Sequence, residues 1–330
     1  MSDYRPSIFI DLPDLLERQL FTDDLLARLN ELGEVRRGID PRVRAVDRLA
    51  CDVVVTGWGS EPFDARRDPR SRLRFAVHSA GTVRPIIPRR LIEEGVRVSQ
   101  AAAGMAVSVA ELAFYFTLSL LRDLHRTDRE MVQGSWAGAS SFGLGRTVAG
   151  TRIGVLGASR VGRVYVRLIL AAGAEVTVCD PYLSAADAAE MGVSVSSLED
   201  MLSSSEVVAV HAPVTDETRR MLDRERLALI QDGGIIVNTA RSTLFDSSAL
   251  ADELLAGRLS AGLDVFDTEP LPQQDCLWGL PNVLLTPHIG AATVHSRQIQ
   301  GLIVVEEIER FLNGEPLQAE ILPENYDLLA

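Results

Sequence analysis

Three residues in the second half of the chain, Arg241, Glu269 and His288, form a set of groups able to move a hydride and a proton at a carbinol carbon. They stand in the segments NTARSTLFD, LDVFDTEPLP and LTPHIGAAT. Taken one at a time, each residue also has a structural interpretation. The arginine could cap a strand end, the glutamate could belong to a Glu-Pro turn, and the histidine could bond a core carbonyl.

A glycine-rich turn precedes these segments. In GVLGASRVGRV, Gly157, Ser159 and Gly162 occupy the three positions of a dinucleotide-binding fingerprint, after a predicted strand and before a predicted helix. The first glycine permits a tight turn, the second admits the pyrophosphate, and the third lets helix and strand pack closely. Ser159 replaces the second glycine, so it either shifts the phosphate or donates a hydrogen bond to it. An ordinary strand-to-helix turn remains the alternative.

Asp180 strengthens the cofactor interpretation of this turn. It follows the next strand at close to the roughly 20-residue spacing expected for the acid that binds the adenosine ribose. A carboxylate accepts hydrogen bonds from the ribose hydroxyls and repels a 2′-phosphate, which predicts NAD as the cofactor. Arg160 and Val161 stand at the helix entrance, where Arg160 could pair with the pyrophosphate. A turn-forming Asp-Pro after a strand is the alternative for Asp180.

The elements that would position these residues alternate between short apolar runs and helical stretches, which predicts an α/β protein with parallel sheets. A smaller, discontinuous flavodoxin-like substrate domain is expected at 1–104 and 296–330, and a doubly wound NAD-binding domain at 105–295. One long helix is predicted at 107–132 and a last helix at 293–313. The predicted strands are 7–10, 52–56, 73–78, 96–99, 151–156, 175–179, 207–211, 234–238, 260–265 and 283–286.

Composition excludes several other kinds of protein. A net charge of −13 argues against nucleic acid or an anionic membrane as a partner. All 33 basic residues are arginine, so chemistry that needs a lysine amine is excluded. Three scattered cysteines predict neither a disulfide framework nor a metal site. Because the first residues do not resemble a secretion signal, we expect a cytoplasmic protein. The apolar stretch 112–121 is about half the length of a membrane span, so we interpret it as a buried helix.

Most of the chain resembles the D-isomer-specific 2-hydroxyacid dehydrogenase family, which includes phosphoglycerate dehydrogenases and glyoxylate/hydroxypyruvate reductases. Beyond the three segments above, the resemblance rests on HSAGTVR at 78–84, VAEL at 109–112, GSWAG at 134–138 and VHAPVTDET at 210–218. It implies that Arg241, Glu269 and His288 are catalytic. His288 would be the acid/base, Glu269 would orient its ring and favour its protonated form, and Arg241 would hold the substrate carboxylate and 2-oxo oxygen.

The resemblance also implies further site residues. Asp264 would contact the nicotinamide carboxamide, Pro213 would line the adenine pocket, and Thr239 would lie near the nicotinamide. Thr218 shares the cofactor-facing segment with Pro213; His211, in the same segment, is interpreted as structural. The substrate carboxylate would meet the main-chain amides around Ala80, Gly81 and Thr82. Trp58 and Arg84 are candidates for lining the substrate pocket. QAAAGMAVS at 100–108 replaces the family's usual Asn-Pro signature, so the substrate stays undetermined.

Two functional hypotheses follow from the resemblance. The first is an NAD-dependent dehydrogenase of D-2-hydroxy acids, or a 2-oxoacid reductase, with its active site in a cleft between two domains. The second is a cofactor-sensing protein like the corepressors that share this scaffold, with little turnover. Formate and phosphonate oxidation are weaker alternatives. Enzymes of the first kind normally have a glutamine where this chain has Glu269, and those of the second kind rely on a lysine that this chain lacks. A homodimer formed through the helix after VAEL and through the GSWAG loop is also implied.

Overall fold

The computed structural model describes residues 4–38, 41–64, 70–136 and 143–328. The chain divides into two compact units. Unit 1 comprises Met1–Met105 and Ala292–Ala330, and unit 2 comprises Ala106–Ala291. The GSWAG segment lies partly outside the described residues, so its predicted role in dimer formation remains a prediction.

The strands agree closely with the apolar runs of the sequence. Unit 1 holds β1 (Ser7–Asp11), β2 (Glu34–Arg37), β3 (Val53–Thr56), β4 (Phe75–His78), β5 (Arg97–Gln100) and, near the end of the chain, β13 (Glu320–Ile321). Unit 2 holds β6 (Arg152–Leu156), β7 (Glu175–Cys179), β8 (Ser194–Val195), β9 (Val207–Val210), β10 (Ile235–Asn238), β11 (Ser260–Leu263) and β12 (Val283–Leu285). Every predicted strand is present. The sequence did not predict β2, β8 or β13, which are short or polar.

Each unit is built on one sheet, and the α/β class with two mostly parallel sheets is confirmed. Among the described residues the unit 1 sheet has the order β13-β5-β4-β3-β1-β2, and all its neighbours are parallel except β13 with β5. The unit 2 sheet has the order β12-β11-β10-β9-β6-β7-β8 and is parallel throughout. The strand order of the unit 2 sheet reverses between β6 and β9, and ligands of doubly wound sheets bind at the carboxyl ends of the strands beside such a point.

The helices cover the faces of these sheets. In the part of the chain that the structure describes they are α1 (Asp14–Leu20), α2 (Asp23–Leu32), α3 (Pro41–Ala50), α4 (Arg89–Glu93), α5 (Ala106–Leu121), α6 (Leu124–Val132), α7 (Arg160–Ala171), α8 (Ala185–Met191), α9 (Leu198–Ser204), α10 (Arg224–Leu229), α11 (Ser247–Leu255) and α12 (Val294–Asn313). Short 3-10 turns span Ala102–Met105, Ser242–Leu244 and Tyr326–Leu328. The predicted last helix is confirmed as α12, and the hydroxyl of Thr293 caps its first turn.

The prediction of one long helix at 107–132 is wrong, because the segment forms α5 and α6. Asp123 lies between them with a φ of 51°, in the left-handed region. A residue in that conformation cannot continue a right-handed helix, so the chain turns before α6 begins. Unlike the apolar α5, α6 is rich in charged residues and has its own polar face.

Packing within unit 2 explains why α5 is so apolar. The helix lies against α7, β10 and β11, and the ring of Phe116 is fully buried. A Cβ on Gly262 of β11 would stand 2.6 Å from that ring, so a glycine is needed there for α5 to reach the sheet. In the described part of the chain one segment, Ala102–Leu121, is long and apolar enough to span a membrane, and half of it is buried. A core helix has the same composition, so this segment is weak evidence for a membrane.

Candidate active site

Glu269 and His288 form a hydrogen-bonded pair in unit 2. The Nδ1 atom of His288 lies 2.7 Å from Oε2 of Glu269. The other carboxylate oxygen, Oε1, accepts a hydrogen bond of 2.9 Å from the main-chain amide of Phe266. Because both oxygens of Glu269 have partners, its carboxylate is held in one orientation and in turn fixes the imidazole ring.

His288 itself has a strained backbone. Its φ of 53° is in the left-handed region, which few residues other than glycine adopt. The buried carboxylate of Asp264 supports the loop by accepting from the Thr286 hydroxyl at 2.5 Å and from the amides of Ile289 and Gly290 at 2.8 Å each. Such strain persists where surrounding contacts determine the conformation, as they do here.

Arg241 stands in the turn after β10, and the side chain of Asn238 braces that turn. The Asn238 amide nitrogen donates to the Arg241 carbonyl, and its oxygen accepts from the Ala240 amide, each at 3.0 Å. Burial lowers the pKa of the Arg241 guanidinium, and the nearby negative charge of Glu269 opposes that effect. Unit 2 therefore brings the three predicted catalytic residues into one neighbourhood.

The glycines of the cofactor turn are required by the local packing. Gly157 has a φ of 95°, and a Cβ there would lie 2.7 Å from the main chain of Ala212. A Cβ on Gly162 would lie only 2.1 Å from the Gly157 carbonyl oxygen. A side chain at either position would therefore collide with the protein's own main chain, so only glycine permits this tight turn, the glycine cradle, at which a dinucleotide pyrophosphate can approach the main chain.

Ser159 has a local role that the fingerprint alone did not indicate. It is the N-cap of α7, and its hydroxyl accepts a hydrogen bond of 3.3 Å from the Gly162 amide. An N-cap hydroxyl satisfies one of the unpaired amides of the first turn. The two alternatives raised for Ser159, a displaced phosphate or a bonded one, remain untested. Arg160 and Val161 begin the helix, with Arg160 exposed.

Asp180 faces the cofactor turn from the end of β7. Its Oδ2 accepts from the Ala158 amide at 2.6 Å, and its Oδ1 accepts from the Tyr182 amide at 2.8 Å. The carboxylate therefore stands beside the glycine turn, the position that ribose recognition requires. A turn-forming role, the alternative weighed for this residue, is present as well, because the Tyr182 bond closes the Asp-Pro turn.

The other predicted cofactor residues lie at the carboxyl ends of β9, β10 and β11. Thr218 closes its own loop by donating to the Pro213 carbonyl at 2.7 Å. The buried hydroxyl of Thr239 has no hydrogen-bond partner among the described residues. Asp264, beyond β11, already accepts three bonds, and a carboxylate offers about four acceptor sites. The glycine cradle, the Asp180 carboxylate and the unpartnered Thr239 hydroxyl together fit a bound dinucleotide.

The predicted substrate loop belongs to unit 1. Ala80 is buried, and its carbonyl accepts from the Ala101 amide at 3.2 Å; Gly81 and Thr82 are half-buried. The end of the Met105 side chain would stand 2.8 Å from a Cβ on Gly81, a contact that a flexible side chain can relieve. Trp58 is half exposed.

Arg84 makes contacts that its sequence position did not predict. It donates from Nε to the Tyr326 carbonyl at 3.4 Å and from Nη2 to the Asp327 carbonyl. Its guanidinium therefore ties the loop after β4 to the end of the chain in unit 1. Lining of the substrate pocket by Arg84 remains a prediction.

Sequence reasoning missed the residues that support the catalytic side chains. Asn238 and Thr286 lie inside the catalytic segments, and Phe266 acts only through its main-chain amide. The Asn238-to-Arg241 spacing is a signal that was available, because asparagine side chains bond the backbone two or three residues ahead in turns. In the described part of the chain no group of three or more His, Cys, Asp or Glu residues could hold a metal ion.

Comparison with known proteins places the chain in a family. Residues 114–290, more than half of the chain, match the family model of the D-isomer specific 2-hydroxyacid dehydrogenase NAD-binding domain. D-3-phosphoglycerate dehydrogenase of Mycobacterium tuberculosis is 39% identical over 222 residues, which cover 67% of this chain and 42% of that protein. Hydroxypyruvate reductase of Thermotoga maritima is 34% identical over 270 residues, covering 81% of this chain and 82% of that protein.

Solved structures agree with these matches. The TT0316 protein of Thermus thermophilus has a TM-score of 0.83 and 29% identity, covering 96% of this chain and all of that one. The chain matches less than half the length of the mycobacterial relative. The residues matched to the family model, 114–290, contain the glycine cradle, Asp180 and all three predicted catalytic residues.

Proposed function

Because the chain belongs to the D-isomer specific 2-hydroxyacid dehydrogenase family, we propose that it is an NAD-dependent oxidoreductase that interconverts a D-2-hydroxy acid and its 2-oxo acid. The observation that carries the proposal is the 2.7 Å pair of His288 and Glu269, with the Arg241 guanidinium within the same unit. When bound, the nicotinamide accepts a hydride in the oxidative direction and supplies it in the reductive direction.

His288 is the proton-transfer group of this proposal. Its Nδ1 is held by Glu269, so Nε2 is the nitrogen that takes the hydroxyl proton during oxidation and returns it during reduction. Glu269 fixes the ring and stabilises the imidazolium formed when the proton arrives. Arg241 holds the substrate carboxylate and 2-oxo oxygen, where negative charge develops, and its burial strengthens that interaction.

We assign the cofactor to unit 2 and substrate binding in part to unit 1. In unit 2 the glycine cradle supports the binding of a dinucleotide, and the Asp180 carboxylate favours NAD(H) over NADP(H). In unit 1 the main-chain amides around Ala80, Gly81 and Thr82 would receive the substrate carboxylate. Asp264, Pro213, Thr218 and Thr239 would face the cofactor, and Trp58 would line the substrate pocket.

A substrate screen tests the proposal. Purified protein is mixed with NADH and with glyoxylate, hydroxypyruvate, pyruvate or longer 2-oxo acids, and NADH consumption is followed. Calorimetry measures NADH binding in parallel. We expect turnover of at least one of these acids. Tight NADH binding with no turnover on the whole panel would rule the proposal out and leave the cofactor-sensing hypothesis, which the names of the relatives do not support.

We further propose that the protein is a cytoplasmic homodimer. Large apolar side chains are exposed along α5, α6 and the residues that follow; they are Val107, Tyr115, Leu118, Leu124, Met131, Val132 and Trp136. Exposed apolar surface of this extent commonly marks a protein interface. Sedimentation over a range of concentrations tests this, with Leu118→Glu as the disrupting variant and Leu255→Glu, on exposed surface of α11, as its control. A monomer at every concentration would reject the dimer.

A further inference from the structure

A cavity of about 300 Å³ lies in unit 2 beside the catalytic residues but is lined by others. One wall is formed by the segment from Asn238 to Ala251, and the other by the segment from Leu263 to Leu277. Arg241 belongs to the first segment and Glu269 to the second, yet neither side chain lines the cavity. The cavity is therefore separate from the site proposed for the reaction.

The lining of this cavity is mainly apolar. Its lining includes the apolar side chains of Phe245, Leu250, Leu263, Val265 and Leu271, together with serine and threonine residues. Small-molecule sites are usually concave and apolar, with a few polar groups that orient the ligand, and they begin at about 300 Å³. An apolar cavity of about 150 Å³ accommodates benzene. This cavity has room for one aromatic ring with a short substituent.

The charge of the lining selects among possible ligands. Asp267 and Asp275 both line the cavity, whereas no arginine or histidine is among the described residues that do so. Two carboxylates repel a 2-oxo acid or a pyrophosphate and attract a cation. Asp275 already accepts the Leu277 amide through Oδ1 at 3.0 Å, so its carboxylate is fixed in position. The cavity is therefore unsuited to the proposed substrate and cofactor.

We propose that this cavity binds a small amphipathic amine. The apolar body of the amine packs against Phe245, Leu250 and Leu271, and its ammonium group faces Asp267 and Asp275. The site goes beyond the proposed function and does not depend on it, because it follows from the shape and charge of the lining alone.

The position of the cavity brings a bound amine against both catalytic segments. Phe266 lines the cavity, and its amide holds Oε1 of Glu269. Asn238 also lines the cavity, and its side chain braces the turn of Arg241. An occupant would therefore contact the supports of two residues proposed to be catalytic.

Cys276 provides a reporter for the site, because it lines the cavity and its side chain is exposed. Cys51 is buried, and burial raises the pKa of the Cys179 thiol, which leaves Cys276 as the most reactive of the three. The rate of Cys276 alkylation by N-ethylmaleimide is measured by peptide mass spectrometry, and Cys276→Ser gives the background. The probes are 2-phenylethylamine, 2-phenylethanol and phenylacetate, which share the ring and differ in charge.

We expect 2-phenylethylamine to protect Cys276 at least five-fold in a saturable manner, the neutral alcohol to protect more weakly, and phenylacetate not to protect. Equal protection by phenylacetate, or no protection by any probe, would overturn the proposal. Neither result bears on turnover of 2-oxo acids, so failure of this site and failure of the proposed function can be told apart.

Two variants test the location and the charge preference by calorimetry with 2-phenylethylamine. Ala251→Trp fills the cavity and should abolish binding, whereas Ala256→Trp, exposed at the end of α11, should leave it unchanged. Asp267→Asn combined with Asp275→Asn keeps the side-chain size and should weaken the amine at least ten-fold while sparing 2-phenylethanol. Undiminished amine binding in this double variant would contradict the proposal even if Ala251→Trp does not fold.

Discussion

The Oδ2 atom of Asp264 lies 2.8 Å from the main-chain nitrogen of Gly290. Together with the bonds from Ile289 and Thr286, this contact fixes the loop in which His288 has a left-handed backbone. A non-glycine residue in such a conformation costs about 1–3 kcal/mol, so the loop depends on its support. One carboxylate at the end of β11 thus determines where the imidazole stands.

Asp264→Asn is expected to displace this loop. The NH₂ group of the asparagine would face one of the three donors that the carboxylate now accepts from. That buried donor would lose its partner, which costs about 1–3 kcal/mol of folding free energy. We expect the free energy of unfolding to fall by that amount and kcat to fall at least ten-fold, as urea unfolding and steady-state kinetics would measure. Asp232→Asn, at an exposed position, is the control. Unchanged kcat in Asp264→Asn would show that the loop does not need the carboxylate.

Ser159 is expected to affect helix stability more than cofactor affinity. Ser159→Ala removes the cap of α7 and should lower the free energy of unfolding by about 1 kcal/mol, whereas Ser159→Gly should lower it by only a few tenths. We expect the Kd for NADH to change less than ten-fold in Ser159→Gly, since a serine in the turn weakens binding only modestly. Calorimetry and urea unfolding measure the two effects. A much larger gain in NADH affinity would mean that the serine displaces the phosphate.

Asp180 is expected to determine the choice between NADH and NADPH. Asp180→Ala removes the carboxylate beside the turn, so NADH should bind at least ten-fold more weakly and the discrimination against NADPH should narrow. Glu190→Ala, on exposed surface of α8, is the matched control. Calorimetry with NADH and with NADPH gives two dissociation constants for each protein. Tighter binding of NADPH than NADH by the unchanged protein would refute the assignment.

His211 is expected to lower the free energy of unfolding in acid. Its ring is buried against Tyr165, neither ring nitrogen has a partner among the described residues, and burial lowers its pKa from 6.5 to about 3. The unfolded chain therefore takes up a proton below about pH 6.5 that the folded chain does not, and stability is lost as the pH falls from there towards 3.

The variant His211→Phe keeps an aromatic ring against Tyr165 and removes this titration. Between pH 7 and pH 5 the unchanged protein should lose about 2 kcal/mol more of its unfolding free energy than the variant. Urea unfolding at both pH values measures the difference. Parallel losses in the two proteins would mean that the ring is protonated in the folded state.

The sequence predicted the parallel α/β class and most strands because buried parallel strands are continuous apolar runs. It missed β2, whose residues Glu34–Arg37 are mostly exposed and charged, and it joined α5 to α6 across Asp123. Edge strands and helix breaks depend on tertiary contacts and on single backbone angles. Apolar periodicity does not encode either of them.

At the site, residue types were easier to predict than their supports. Arg241, Glu269 and His288 were identified from short segments, whereas the bonds of Asp264 and Asn238 became evident only from their geometry. The contact from Arg84 to the carbonyls of Tyr326 and Asp327 joins residues far apart in the chain. Main-chain acceptors carry no signature in the sequence, so such contacts could not be predicted.

In the proposed function His288 transfers the proton that accompanies hydride transfer, and the turnover number of His288→Gln is the decisive measurement of this role. The measurement uses saturating NADH and the best substrate of the screen, and calorimetry verifies that NADH still binds. General acid-base groups contribute about 10²- to 10⁴-fold to rates, so kcat should fall by that factor with little change in the Kd for NADH. A kcat within two-fold of the unchanged protein would contradict the account.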